Sequence, residues 1–255
     1  MQSVAGRSGE AYMETMGETF ARLRGAQKGR AKGAPAYSVY VNRPVGRLLA
    51  VVAYRLGLTP NQVSLVSALF TFSGIAVIAA VPPAPWSGVL VWLLLALGYA
   101  WDSADGQVAR LRGGGSLAGE WLDHFVDALK ISSLHIAVFV GLTHVEGLAT
   151  AWLAVPLVFA VVANTTFFGM ILNDLLKGKR GVASAHSEGG GGNLRSILLL
   201  PTDFGILVLS FVVWGWPSVF VVVYGLLLVA CAAFLLLAAV KWFRDMRRID
   251  AGSAT

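Results

Sequence analysis

Residues 102–127 read D-S-A-D-G-Q-V-A-R-L-R-G-G-G-S-L-A-G-E-W-L-D-H-F-V-D. The residues on either side, 86–101 and 128–142, are predominantly apolar. Four carboxylates, those of Asp102, Asp105, Asp123 and Asp127, are therefore placed within a stretch that should enter a bilayer. One carboxylate at the bilayer centre costs about 2.5–3.5 kcal/mol even on a lenient insertion scale. Four uncompensated ones would cost on the order of 10–14 kcal/mol. Metal cations are the expected compensation, which makes this stretch the candidate active site.

The spacing supports that reading. Asp102 and Asp105 are three residues apart, and Asp123 and Asp127 four, so each pair shares one helix face. Gly106, Ala109 and Arg110 continue the first stripe, and Gly119 lies one turn before Asp123. Small residues let a second helix or a ligand come close. Two such helices facing each other would ring one small cavity with four carboxylates. Hard cations such as Mg²⁺ or Mn²⁺ prefer oxygen ligands and keep room for substrate phosphates. Two ions roughly 3.5–4 Å apart would clamp both the attacking and the leaving oxygen of a phosphoryl displacement.

Working outward, the chain has 255 residues, 56% hydrophobic and 13% charged, with a mean hydropathy of +0.68. This composition fits an all-α integral membrane protein and excludes an ordinary soluble domain. Six apolar spans are expected, at about 61–81, 86–109, 117–142, 149–174, 197–215 and 217–240. Each is near the roughly 20 residues that cross a bilayer. Pro82, Pro83 and Pro85 separate the first two, and Trp216-Pro217 the last two. Cys231 is the single cysteine, so no internal disulfide forms and no thiol cluster competes for metal. The histidines, His124, His135, His144 and His186, are scattered and receive no catalytic role.

Charge predicts orientation. Nine Lys/Arg lie in residues 1–60, two in 110–116, four in 175–196 and four after 240; the turns at 82–85, 143–149 and 215–217 carry none. The remaining one of the twenty is Lys130, inside the third span. By the positive-inside rule both termini and the aspartate end face the cytoplasm, with the plasma membrane as the expected location. The net charge of +6 then reads as topology and contact with anionic membrane lipids, not as nucleic-acid binding. Trp86, Trp152, Trp214 and Trp216 are expected in an outer interfacial belt, and Trp101, Trp121 and Trp242 in an inner one.

The domain plan follows. Residues 1–36 are polar, lack the apolar core of a signal peptide, and are expected to be a flexible cytoplasmic segment, with 10–24 able to form a helix. Residues 37–245 form the membrane domain and 246–255 a cytoplasmic tail. Within the domain, residues 41–58 carry apolar side chains with Arg43, Arg47 and Arg55, the pattern of an amphipathic helix on the membrane surface. Gly57 ends it, and Thr59-Pro60-Asn61 starts the next helix.

The pattern D-x-x-D-G-x-x-A-R-x(8)-G-x-x-x-D-x-x-x-D closely resembles the signature of the CDP-alcohol phosphotransferase family. Asp102, Asp105, Gly106, Ala109, Arg110, Gly119, Asp123 and Asp127 fill its eight fixed positions. The resemblance implies attack of an alcohol on a CDP-linked alcohol, with release of CMP. It implies that Asp102, Asp105 and Asp123 are metal ligands, and that Asp127 is the general base and touches a second metal. Gly106, Ala109 and Arg110 then meet the CDP-alcohol donor, for which the Arg110 guanidinium suits a diphosphate. The resemblance extends to T-P-N-Q-V-S at 59–64, so Asn61, Gln62, Val63 and Ser64 are either donor contacts or a plain helix start. Ser116 is either a donor contact or a loop serine. Lys130 either neutralises Asp127 or binds acceptor.

The acceptor end departs from the pattern. Members of the family that use a phosphorylated inositol carry a basic stretch at the end of the fourth span. Here the segment reads G-M-I-L-N-D-L-L-K-G-K-R, with Asn173 and Asp174 first and Lys177, Lys179 and Arg180 later. Arg195 does match a basic position and either meets an acceptor phosphate or serves topology. The resemblance also implies a homodimer, and Gly141, Ala163 and Gly169 are candidates for close helix contact between copies.

The expected protein is a six-helix membrane transferase with a CDP-alcohol donor, CDP-diacylglycerol first, and a polar hydroxyl acceptor such as a polyol or its phosphate. A second reading keeps the chemistry but uses a small soluble CDP-alcohol and a lipid or sugar-alcohol acceptor. A divalent-cation transporter is the rival from another class.

Overall fold

The computed structural model describes residues 15–25, 35–182 and 199–252. Among the described residues only helical elements occur: α1 (Met16–Gly25), α2 (Arg43–Arg55), α3 (Pro60–Ala80), α4 (Pro85–Leu111), α5 (Leu117–Thr143), α6 (Ala154–Lys179), α7 (Phe204–Ser210) and α8 (Pro217–Gly252). Five helical stretches are long and apolar enough to cross a membrane: α3, α4, α5, residues Thr150–Lys179 and α8.

The helix starts follow from local chemistry. Thr59 and Gln62 form a reciprocal cap on α3: the Gln62 N–H donates to Thr59 Oγ1 at 3.3 Å, and the Thr59 N–H to Gln62 Oε1 at 2.8 Å. Pro60 and Pro85 occupy first-turn positions of α3 and α4, where a missing N–H costs nothing. The Ser116 hydroxyl accepts from the Gly119 N–H at 3.0 Å and caps α5.

Two element lengths differ from the expected apolar spans. The span expected at 197–215 is, among the described residues, a short apolar helix over Phe204–Val213. Pro201 sits in a separate 3₁₀ turn, and Asp203 then caps α7 by accepting from the Gly205 N–H at 2.9 Å. A hydropathy window averages over such a break and does not see it. Conversely, α8 runs through most of the expected tail, to Gly252. Asp245 supports this extension, accepting from Lys241 one turn earlier at 2.9 Å and from Lys177 of α6 at 2.7 Å.

Glycines set how closely the helices cross. A Cβ on Gly98 of α4 would run into Thr71 of α3 and meet the Ser67 carbonyl oxygen at 3.2 Å. Gly46 of α2 lies against Ser103 and the Ala100 carbonyl of α4. These contacts press α2 and α3 onto the segment of α4 that carries Asp102 and Asp105. The opposite end of the bundle is an apolar core that includes Ile78, Leu95, Val138, Phe211, Trp214 and Phe220.

That core overturns two details. Trp214 is 0% exposed and packs inside the bundle, whereas a belt residue would sit at the lipid interface. Gly141 makes room for the Trp214 ring, and Gly169 for Trp242, so both close contacts lie within one chain. Ala163 lines an open cavity of the same chain. Small residues identify close approach but not what approaches.

The segment expected to be flexible contains a docked helix. Leu23 of α1 is 0% exposed, in a cluster with Ala50, Val63, Ala104 and Val108. Arg22 of α1 and Arg112 both lie over the Tyr54 ring, at 5.1 and 5.4 Å, contacts of the cation–π kind. On α2 the apolar residues Val45, Leu48 and Val52, with Leu56 just past its end, form an exposed stripe, while Gly46, Ala50, Val51 and Ala53 are buried.

Candidate active site

Three helices converge on the aspartates. Asp102 and Asp105 project from α4, Asp123 and Asp127 from α5, and α3 supplies hydroxyls. Carboxylate oxygens of Asp102, Asp105 and Asp123 lie within 4.8 Å of one another, and ligand atoms of Asp123, His124 and Asp127 form a second such group. Oxygen donors at this spacing fit a hard divalent cation.

The first coordination partners are already oriented. Ser64 donates to Asp105 Oδ2 at 2.6 Å. Ser67 donates to the Gly98 carbonyl at 2.9 Å and reaches Asp102 Oδ1 at 3.4 Å. Lys130 donates to Asp102 Oδ1 at 2.5 Å, to Asp127 Oδ1 at 3.2 Å and to Ser67 at 3.2 Å. Lys130 therefore spans α4 and α5 rather than serving Asp127 alone. Neither Ser67 nor the lysine's bond to Asp102 was legible in the motif, because both depend on how α3 and α5 cross α4.

Arg110 lies one turn past Gly106, whose missing side chain leaves the Arg110 Nη1 open on that side; a Cβ there would stand 3.7 Å from it. The Arg110 Nε is buried and has no hydrogen-bond partner among the described residues. A half-buried guanidinium with an orphaned Nε–H donor fits a phosphate oxygen. Ala109 is buried in the same helix turn.

The other predicted donor contacts divide. Asn61 is exposed, and its Oδ1 lies 3.2 Å from where a Gly119 Cβ would be, so it borders α5 near Asp123. Ser64 reaches the cluster through Asp105. Gln62 is engaged in the α3 cap, Val63 is buried among apolar side chains, and the Ser116 hydroxyl caps α5. Arg195 lies outside the described residues.

Beside the cluster, a cavity of about 540 Å³ opens among α5, α6, α7 and α8, reaching Ile131, one turn from Asp127. Its lining is mostly apolar, with Arg43, Tyr99, His135 and Asp203 among the polar members. Asp203, which sequence inspection passed over, is 2% exposed and accepts from the Ser38 N–H at 2.8 Å and from the Tyr99 hydroxyl at 3.3 Å. It ties the segment before α2 to the start of α7. His135 hydrogen-bonds the Tyr224 hydroxyl and stacks on Phe159. Lys177, a candidate acceptor cation by position, is paired with Asp245.

The family model for CDP-alcohol phosphatidyltransferase matches residues 57–243. The phosphatidylinositol phosphate synthase of Corynebacterium glutamicum is 33% identical over 150 residues, 58% of this chain and 60% of that protein. The aligned stretch thus spans less than two thirds of that relative. The backbone is similar to the crystal structure of Mycobacterium tuberculosis phosphatidylinositol phosphate synthase with CDP-DAG bound, with a TM-score of 0.52 and 20% identity, over 80% of this chain and 94% of that one. Its apo form gives a TM-score of 0.50 and 22% identity over 76% and 93%. At these identities the structural likeness speaks for the fold, while the family match covers both aspartate-bearing helices and the aspartates on them. This multi-pass helical chain belongs to the CDP-alcohol phosphatidyltransferase family.

Proposed function

We propose that the protein transfers the phospho-alcohol part of a CDP-alcohol, CDP-diacylglycerol first, to the hydroxyl of a polar acceptor, releasing CMP. The observation that carries this is the convergence of the family's aspartates: three carboxylates from two helices within 4.8 Å, inside the matched region. Asp102, Asp105 and Asp123 would hold divalent metal, Mg²⁺ or Mn²⁺, which neutralises the diphosphate when bound. Arg110 binds that diphosphate through its guanidinium. Asn61, Ser64, Gly106 and Ala109 border the same mouth.

In the reaction, the acceptor oxygen attacks the phosphorus that bears the donor's alcohol group. The bond from that phosphorus to the bridging oxygen breaks, and CMP leaves with the oxygen. Asp127 takes the hydroxyl proton. Its Oδ1 is held by Lys130, which leaves Oδ2 for the acceptor. The cavity next to Ile131 gives the acceptor a place beside Asp127. The Corynebacterium relative is named for a phosphatidylinositol phosphate product, which favours a polyol phosphate; the pairing of Lys177 with Asp245 removes one cation from that role.

The exposed apolar stripe of α2 suits a helix lying at the membrane surface. Charge placement supports cytoplasmic termini, in the plasma membrane, with Phe204–Val213 as part of a sixth crossing. The test of the reaction is CMP release by purified protein given CDP-diacylglycerol or small CDP-alcohols and a panel of polyols, polyol phosphates and lipid alcohols. Turnover should stop in excess chelator and return with Mg²⁺ or Mn²⁺. Full turnover in chelator would sink the metal assignment; no CMP from any pair would sink the transferase.

A further inference from the structure

The cavity beside the aspartates has a cation on its wall. Among the described residues that line it, Arg43 is the single Lys or Arg and Asp203 the single carboxylate. Arg43 is half-buried and forms no ion pair among the described residues. Asp203 does not neutralise it, because the Asp203 oxygens accept from Ser38, Tyr99 and Gly205. The start of α2 is pinned to the aspartate-bearing stretch of α4 at two points. Asn42 donates to the Tyr99 carbonyl at 3.1 Å, and Gln107 donates to the Arg43 carbonyl at 3.3 Å. Asp102 and Asp105 lie between those anchor points along α4. Gly46, one turn on from Arg43, packs on Ser103. Arg43 is thereby held at the border between the aspartates and the cavity. The neighbouring cations have other tasks. Lys130 holds Asp102 and Asp127, Lys177 holds Asp245, and Arg110 is assigned to the donor diphosphate.

We propose that Arg43 binds a phosphate carried by the acceptor, and so selects a phosphorylated alcohol over its unphosphorylated form. This rests on the transfer reaction proposed above and assigns the recognition of its acceptor to a side chain of α2. The rest of the cavity wall is mostly apolar and includes Phe159, Phe167, Met170, Leu207 and Phe234. An anion that enters such a space must exchange its water for a cation. A guanidinium presents two parallel N–H donors to phosphate oxygens, a match that a neutral hydroxyl does not provide. The phosphate held by Arg43 is not transferred. A separate hydroxyl of the same acceptor gives its proton to Asp127 and bonds to the donor phosphorus, while CMP leaves with the bridging oxygen. A free polyol phosphate and a phosphatidyl polyol share this chemistry.

The test compares acceptors in pairs. CMP release by the full chain in lipid nanodiscs is measured with CDP-diacylglycerol and, as acceptor, glycerol phosphate or glycerol, inositol phosphate or inositol, and phosphatidylglycerol or monoacylglycerol. Wild type should prefer the phosphorylated member of a pair, and whether that pair is soluble or lipid-borne identifies the source of the phosphate. Arg43→Gln should raise the acceptor KM about ten- to a hundredfold, remove the preference and leave the donor KM within about twofold. Arg43→Lys, which keeps the charge without the fork, should recover part of the loss. Arg55→Gln, which removes an exposed charge at the other end of α2, should change neither constant. An equal rise in acceptor KM in that variant would reduce Arg43 to surface electrostatics and overturn the proposal. An unchanged acceptor KM in Arg43→Gln would overturn it too, and a rise in donor KM instead would give Arg43 to the diphosphate. A wild type indifferent to the phosphate would overturn it without any variant. No CMP from any pair is a different outcome, and would remove the transfer reaction itself and this role with it.

Discussion

At the scale of single residues, the site separates donor binding from chemistry. Asp127 lies one turn beyond Asp123 on α5 and one turn before Ile131, which lines the open cavity. Asp127→Asn should leave cytidine nucleotide affinity within about twofold while lowering turnover about 10²–10⁴-fold, the usual loss for a general base. Near-normal CMP release by that variant would return Asp127 to a supporting role. Arg110→Ala should act in the opposite sense. A diphosphate would lose a charge-assisted partner worth about 1.5–3 kcal/mol, so donor affinity should fall on the order of ten- to a hundredfold. Nucleotide titration and CMP release on the same preparations check both. The aspartates and Arg110 were legible as residues because carboxylates in an apolar run need a reason to be there. Ser67 was not, nor were the bonds of Lys130 to Asp102 and of Ser64 to Asp105, since each depends on a neighbouring helix bringing the side chain to a carboxylate.

At the scale of elements, the crossing of α3 and α4 is what delivers the site. Gly98 is the contact point, with backbone atoms of Ser67 and Thr71 where its side chain would be. Backbone cannot move aside as a flexible side chain can. Gly98→Val should therefore destabilise the fold by about 1–3 kcal/mol, the range for overpacking, and separate Asp102 from Ser67. A lower thermal midpoint in detergent, with turnover falling further than the loss of folded protein explains, is the expected pair of results. An unchanged midpoint would mean that the helices do not cross this closely. Element ends show the other lesson. The α3 start was legible because Thr59, Pro60 and Gln62 act locally. The α8 extension was not, because the Lys177 and Lys241 contacts to Asp245 depend partly on a helix 68 residues away in sequence.

At the scale of the whole molecule, the charge distribution predicts topology. Cysteines placed near Pro83, Glu146 and Gly215 should react with impermeant thiol reagents from outside intact cells, and one placed within residues 181–192 should not. Labelling of that segment from outside would reverse the orientation. Assembly is a second question at this scale. The glycines expected between copies are filled from within the chain by Trp214 and Trp242. A homodimer would instead use the apolar faces of α5 and α6, where Phe125, Leu129, Val161 and Phe168 are exposed. Native mass spectrometry from nanodiscs should show two chains, and Val161→Trp with Phe168→Ala should reduce that population. A fully active monomer would exclude the dimer as a requirement.

What the sequence determined by itself were the properties carried by periodicity and local chemistry. Apolar runs near 20 residues, proline breaks and helix caps each act within a few residues, and they set five long helices and most of their ends. The aspartate spacing likewise defined two acidic faces before any fold was known, because helix geometry converts three- and four-residue intervals into one side of a cylinder. Tertiary structure decided which faces meet. Only the crossing of α3, α4 and α5 shows Lys130 between Asp102 and Asp127, and only the packing of α1 on α2 and α4 shows that Leu23 is core. It also assigned Trp214 to the interior. These outcomes depend on contacts between residues distant in sequence, and a small residue or a charge in a helix carries no mark of which neighbour will reach it.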